Sequence, residues 1–397
     1  MGALDPRDRA LAMRLVLGTV SAQGELDRAI TSHLRARSKL EPLVRDALRV
    51  SAFEILYLDT PTQVAVSQGV ELVRSVNRRA AGLGNAVLRR IAEEDAAALA
   101  EARARVEFGN VTIVDLQRIG ALPEWLAARA LADLGPEGAV AYARRALAPA
   151  CASVAANTAR RSAEDCAGLL ADAGCEPALG PIPGSFILGM PAALAASGLV
   201  EACDVLPCDP AAQDVVARLG IEPGMRVLEV GQGRGTKSIL MACAGARLTS
   251  VEVDAKKSAL AAARMEAAGV DGRVECVCDD GRELARVDSA FDLVFVDAPC
   301  SGAGTLSRHP EIAWSLKEDD LADLAGLQLQ ILRRAATRVA DGGRLAYSTC
   351  SILRQEDEGV VDAFLACPEG APFRLVSARR TDIPHADTHF LSLMERA

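Results

Sequence analysis

From Asp209 to the carboxyl terminus, short apolar runs alternate with longer amphipathic stretches, and that alternation restricts this part of the chain to one fold class. Runs at 226–230, 248–253, 273–277, 292–296, 344–348, 373–376 and 389–393 read as strands, while stretches such as 256–268 and 321–339 read as helices. The pattern predicts a doubly wound, mostly parallel sheet with helices on its faces. No crossover helix separates the last two runs, so an antiparallel edge hairpin is expected there. Sheets of this class hold their chemistry in the loops that follow the strands. Two of those loops carry a cysteine: Cys300 in Asp297-Ala298-Pro299-Cys300-Ser301-Gly302 and Cys350 in Tyr347-Ser348-Thr349-Cys350-Ser351. Thiolate is the strongest protein nucleophile near neutral pH. One strand-end thiol is compatible with a small core residue; two in one sheet point to a site.

The rest of the chain reads differently. From Pro6 to about Ala130, apolar residues recur every three or four positions, as in Leu43, Ala47, Leu48 and Val50, without strand alternation. Pro61 is placed to open a helix, and Gly82-Leu83-Gly84-Asn85 is expected to interrupt the one after it. Residues 150–208 read as a small α+β unit, with strands at 153–157 and 185–188 and a helix at 163–173. Three parts are therefore expected: an all-helical domain over 1–140, this connecting unit over 150–208, and the α/β domain over 209–397.

Composition narrows the setting. No apolar stretch reaches membrane-spanning length, and the Met1-Gly2-Ala3-Leu4-Asp5-Pro6-Arg7 start does not read as a secretory leader. The 11 cysteines show no framework spacing and no CxxC pair, which fits reduced thiols in cytoplasm. Four dispersed histidines give no zinc pattern, so no metal is expected. A net charge of −9 speaks against bulk coating of nucleic acid. Residues 1–90 nonetheless carry 14 Lys+Arg against 9 Asp+Glu, an excess that can grip a polyanion or merely solvate helix faces.

The first strand runs into Glu229-Val230-Gly231-Gln232-Gly233-Arg234-Gly235-Thr236-Lys237. Glycines there allow a sharp turn and close approach of the backbone to a ligand. The third glycine comes too early for a dinucleotide fingerprint. An acid on the strand before a GxGxG turn suits S-adenosylmethionine better than a pyrophosphate. Glu252 ends the second strand, where a carboxylate can take ribose hydroxyls; Asp280 follows the third, where one can accept from an adenine amine. Asp254 is read instead as a helix cap before Ala255-Lys256. Methylation at a pyrimidine C5 needs a thiolate that adds to C6, an acid near N3, and a group that assists release. Cys350, Cys300 and Asp297 supply these residue types, and a base so treated must be flipped into the pocket.

Asp297-Ala298-Pro299-Cys300-Ser301-Gly302-Ala303-Gly304-Thr305, with Arg308-His309-Pro310-Glu311-Ile312 and Trp314, resembles the central signature of the RsmB/Fmu (Sun) family of RNA cytosine-C5 methyltransferases. Ser348-Thr349-Cys350-Ser351 with Glu356-Asp357-Glu358 resembles its second cysteine motif, and Asp209-Pro210-Ala211-Ala212-Gln213 the segment before the first strand. Phe53 to Tyr57, Gln63 to Val66 and Gly84 to Arg89 are similar to the NusB-like RNA-binding domain found in that family. The resemblance implies a NusB-like helical domain joined to a Rossmann-like class I methyltransferase domain, acting as a cytoplasmic monomer on small-subunit ribosomal RNA. It implies Cys350 as nucleophile, Cys300 as the residue assisting release, and Asp297 on the cytosine N3 and amino edge. Lys237 would touch the base or the methionine end of the donor; Glu229, Gly231, Gly233, Gly235, Lys237, Glu252, Asp280 and Asp297 would line the donor site. Arg78, Arg79, Arg89, Arg160 and Arg161 are candidate phosphate contacts, each equally readable as a plain surface arginine. His309 is expected to order its loop, Trp314 to pack, and Cys276 and Cys278 to be ordinary strand cysteines.

The glycine turn departs from the family, which usually reads Cys-Ala-Ala-Pro-Gly-Gly-Lys-Thr. Here Gly231-Gln232-Gly233-Arg234-Gly235-Thr236-Lys237-Ser238 stands instead, with arginine in place of proline. An altered turn leaves two alternatives open: a non-catalytic RNA-binding or assembly factor that no longer holds the donor, and a methyltransferase whose target is transfer RNA.

Overall fold

A computed structural model describes residues 5–35 and 39–397; residues 1–4, on which most of the leader reading rests, lie outside it. The chain packs as two compact units. One holds the described residues up to Pro149 together with Leu306–Glu318; the other holds Ala150–Thr305 and Asp319–Ala397.

The first unit is helical. Pro42 opens the helix Pro42–Tyr57, which buries Val44, Ala47, Leu48, Ala52, Phe53 and Leu56; of the residues read as its apolar face, Ala47 and Leu48 are buried, whereas Leu43 is exposed and Val50 half-buried. The glycine pair does not break its helix: Ala81–Arg90 runs continuously through Gly82 and Gly84. Gly84 is buried because a Cβ there would stand 3.1–3.2 Å from Val73, so its absence lets two helices approach closely. Helical structure continues to Leu147, past the expected end, with a break at Gly135 (φ 71°) before Pro136. Leu306–Glu318, far along the chain, also packs here: Trp314 donates its indole N–H to the Val20 carbonyl at 2.8 Å. Gly24 makes room for that ring, since a Cβ would stand 2.3 Å from it. Among the described residues, no helix is long and apolar enough to cross a membrane.

The second unit contains two sheets. The smaller has four strands, β1 (Ser153–Ala156), β2 (Pro177–Leu179), β3 (Ser185–Leu188) and β4 (Val205–Pro207), in the antiparallel order β2-β3-β1-β4. Two of these strands escape sequence reading because they are only three residues long. Asn157, at the end of β1, is fully buried and donates to the carbonyls of Cys203 and Ala268 at 2.8 and 2.9 Å, tying this sheet to a helix of the larger one.

The larger sheet holds β5 (Arg226–Val230), β6 (Arg247–Glu252), β7 (Val274–Cys278), β8 (Phe291–Asp297), β9 (Val339–Thr349), β10 (Phe373–Arg380) and β11 (Phe390–Arg396). Their order is β10-β11-β9-β8-β5-β6-β7, and β5 to β9 are parallel. Apolar residues of β5, β8 and β9 are buried on both faces, which is why those runs are continuously apolar. The last two strands do pair as an antiparallel hairpin, but β11 lies inside it, hydrogen-bonded to β9 as well as β10. The order switches direction between β8 and β5, so ligands are expected at the carboxyl ends of those strands.

Candidate active site

Parallel pairing of β8 and β9 sets Asp297 opposite Ser348. Each strand then turns into its cysteine loop, and the register brings the two thiols together: Cys300 Sγ lies 3.0 Å from Cys350 Sγ. The Cys350 backbone N–H donates to Cys300 Sγ at 3.2 Å. Gly304 makes this crossing possible. Its N–H donates to the Cys350 carbonyl at 2.9 Å, and a Cβ would sit 2.2 Å from the Thr388 carbonyl.

A buried carboxylate fastens the loops. Glu356 is fully buried; one oxygen accepts from the Ser301 N–H (2.8 Å) and the Gln328 amide (3.0 Å), the other from the hydroxyls of Ser301 and Ser351. Gln328 also donates to the Pro299 carbonyl at 2.9 Å. Every donor on this acid comes from a cysteine loop or the helix beside it, so the carboxylate fixes the distance between the sulfurs. Sequence reading named Glu356 only as part of a motif, and its partners lie up to 55 residues away.

Beside the sulfurs, Lys237 reaches Asp297 at 2.7 Å. Burial alone would pull the lysine pKa down, but the charge and hydrogen bond of Asp297, with the nearby Cys350 and Cys208, together outweigh it, and the ammonium stays above its ordinary value. The Cys300 thiol is held protonated, pushed well up by its hydrogen bond with Cys350, then by burial and by the charges of Cys350 and Glu356. The pair thus sets one thiol, held protonated, against a second sulfur in the same cleft.

The glycine turn meets the same cleft. Gly231, Gly233 and Gly235 have φ of 96°, 57° and 77°. A Cβ on Gly231 would come within 2.1 Å of the Asp297 carbonyl, so only glycine fits there. The Glu252 oxygens accept from the N–H groups of Gly233 (2.8 Å) and Asp254 (3.0 Å), which clamps the turn to the end of β6. Asp254 caps the following helix, accepting from Lys256 and Lys257, as its sequence position suggested. Asp280 is gripped by Arg282 of its own loop, whose hydrogen bonds hold its pKa below the usual carboxylate range. Glu229 is fully buried, accepts from Ser238 and Ser250, and is pushed up to about 7 by burial. It supports the turn from beneath.

A cleft of about 600 Å³ is lined by Gly231, Lys237, Glu252, Asp280, Asp297, Cys300 and Cys350. It joins the β5–β7 ends, with the turn and acids, to the β8–β9 ends, with the thiols. His389 also lines it and was not singled out from sequence, where it reads as the first residue of a strand. The remaining residues lie elsewhere. Arg78, Arg79 and Arg89 are exposed on the helical unit. Arg160 and Arg161, exposed on the small sheet's flank, pair with Asp204 at 3.5 and 2.9 Å. His309 is exposed and 3.4 Å from Glu311. Cys276 accepts from Gln232 in β7. Among the described residues, no cluster of His, Cys, Asp and Glu is arranged to hold a metal.

Comparison with known proteins agrees with this architecture. Residues 216–387 match the family model of the 16S rRNA methyltransferase RsmB/F, and residues 1–93 that of the NusB family. The Ribosomal RNA small subunit methyltransferase B of Thermus thermophilus is 34% identical over 361 residues, covering 91% of this chain and 79% of that one. The proteins of the same name from Pseudomonas putida and Xanthomonas campestris are 31% and 29% identical, covering 93% and 100% of this chain and 83% and 91% of theirs. Among solved structures, that of PH0851 superposes with a TM-score of 0.75 at 23% identity, over 99% of this chain and 91% of that one. A methyltransferase homologue from Pyrococcus horikoshii gives 0.62 at 21%, over 72% and 99%. At these identities the solved structures speak for the fold.

Proposed function

The chain belongs to the RsmB/F family of 16S rRNA methyltransferases and is an RNA methyltransferase; from that premise we propose that it methylates C5 of a cytosine in small-subunit ribosomal RNA, with S-adenosylmethionine as donor and a transient bond from Cys350 to C6. The observation that carries this reading is the 3.0 Å pair of sulfurs in one cleft with Asp297, Lys237 and the glycine turn.

The cleft fits the donor. Gly231 lines it beside the end of β8, and the Glu252 and Asp280 carboxylates offer acceptors for ribose hydroxyls and an adenine amine. Bound there, S-adenosylmethionine supplies an electrophilic methyl group for C5. Glu229, Gly231, Gly233, Gly235 and Glu252 hold the turn and the acids in place for it.

Protein groups do the rest. Cys350 attacks C6 as thiolate, which moves electron density through C5 and C4 to N3. Asp297 holds the N3 and amino edge, and the Lys237 ammonium paired with it offsets the charge that collects there. After methylation, water takes the C5 proton, the C5–C6 double bond re-forms and the C6–S bond breaks, freeing Cys350 as thiolate. Cys300, the thiol kept protonated beside it, assists that release. Arg78, Arg79 and Arg89 on the helical unit, with Arg160 and Arg161, contribute phosphate contacts that position the RNA without reading its sequence.

The test is direct. Purified protein, labelled S-adenosylmethionine and small-subunit RNA should yield 5-methylcytidine on nucleoside mass spectrometry, and Cys350→Ala should abolish it. Full turnover by Cys350→Ala would refute the covalent route. Labelling of transfer RNA alone would move the substrate class, and no binding of donor by calorimetry would favour the assembly-factor alternative.

A further inference from the structure

One polar side chain in the cleft has no work in the scheme above. His389 is the residue before β11, one step beyond the Phe390–Thr349 pair, so the strand register carries it toward Cys350. Its backbone is clamped: its N–H donates to Thr381 Oγ1 at 2.9 Å and its carbonyl accepts from the Thr381 N–H at 2.7 Å, while neighbouring Thr388 donates to Gly304. Only 6% of the residue is exposed, and what it faces is the cleft with Lys237, Asp297, Cys300 and Cys350. Yet the ring is not satisfied by protein, because Nδ1 is sealed from solvent without a hydrogen-bond partner. That nitrogen faces protein and no ligand atom reaches it, so the ring meets an occupant of the cleft through its other nitrogen, Nε2.

The form of the ring follows from its surroundings. Burial, then the charge of Lys237, takes its pKa down to about 3, so the imidazole is neutral at physiological pH. A buried N–H without an acceptor is rarer than a buried acceptor without a donor, which assigns the proton to Nε2. A neutral donor beside the nucleophile has one suitable acceptor on a pyrimidine whose N3 and amino edge already face Asp297: the C2 carbonyl oxygen.

We propose that His389 is a further catalytic residue of the base subsite, donating a hydrogen bond from Nε2 to O2 of the target cytosine. Addition of sulfur at C6 sends negative charge onto the N3–C2–O2 unit, so this bond strengthens as the adduct forms, and no proton leaves the ring. The inference rests on the cytosine-C5 reading given above.

The experiment pairs a change in the protein with a change in the RNA. Single-turnover methylation at saturating donor is measured for the wild type, His389→Phe and His389→Gln, on RNA carrying cytidine or 2-thiocytidine at the methylated position. His389→Phe should slow methylation about 10- to 100-fold while its calorimetric Kd for S-adenosylmethionine stays within about twofold. His389→Gln, which keeps a donor, should recover most of the rate. Sulfur at C2 should slow the wild type and leave His389→Phe unchanged. Insensitivity of the wild type to that sulfur overturns the assignment even if a variant fails to fold. So does a His389→Phe rate within about twofold of wild type, or a loss confined to donor affinity. Absence of 5-methylcytidine from the wild-type reaction would instead sink the reading beneath it.

Discussion

The two halves of the cleft are built on opposite plans. At the β8–β9 ends one buried carboxylate is saturated: Glu356 accepts four hydrogen bonds with no exposure to solvent, and the serines and glutamine that donate them come from both cysteine loops or beside them. At the β5–β7 ends Glu229 and Glu252 are buried, but Asp280 is partly exposed and held mainly by the half-exposed Arg282. The first half is rigid because breaking any bond leaves a buried charge unpaired. The second is less tightly tied, as suits the donor half of the proposed mechanism. That mechanism puts its covalent step in the half where a buried carboxylate ties the loops together.

That contrast is open to attack by mutation. Glu356→Gln should have the largest effect, since an NH2 in place of one oxygen either faces the donor-only Ser301 N–H and Gln328 amide or forces the two serine hydroxyls to stop donating. We expect a loss of about 2–4 kcal/mol in stability by chemical denaturation, together with loss of methyl transfer; a fully stable, active variant would erase the distinction between the halves. Glu229 tests the floor of the donor half. Its folded pKa of about 7 lies above the ordinary 4.5, so the folded state holds the proton more tightly than the unfolded chain. Its contribution to stability is complete below about pH 4.5 and is lost as pH rises through about 7. Asp357, raised to about 7 by burial, acts in the same direction. Glu229→Gln should therefore flatten the decline in Tm across that window, and an unchanged profile would exclude Glu229 as its source.

Asp280→Asn should barely move Tm, because a partly exposed ion pair contributes about 0–1 kcal/mol. Donor Kd by calorimetry should rise about tenfold. A stability loss matching that of Glu356→Gln would show the halves to be alike. Arg79→Ala and Arg89→Ala should have the smallest effect, about two- to threefold in RNA affinity for all sequences alike, with a shallower salt dependence.

How far the chain could be read in advance follows the same division. The parallel strands were legible because burial on both faces makes each a continuous apolar run, and the cysteines because their loops follow those strands directly. Nothing local marks β11 for insertion between β9 and β10, since that depends on its pairing with β9 through Phe390 and Thr349. Gly82 and Gly84 read as a break because glycine is a poor helix former, yet packing against Val73 outweighs that local cost. Leu306–Glu318 continues the cysteine motif in sequence but packs with the helical unit, a choice made by Trp314 and its seat at Gly24. His389 was hidden for the opposite reason: its neighbours are strand residues, and only the folded register places it beside Cys350.

The most direct trial is mass spectrometry of Cys300→Ala incubated with S-adenosylmethionine and small-subunit RNA, then denatured and digested. The account predicts a methylated cytidine nucleotide still bonded to the peptide that contains Cys350, because release has lost its assisting thiol. An RNA-free Cys350 peptide from a variant that had stopped turning over, or a bond to any other side chain, would contradict it.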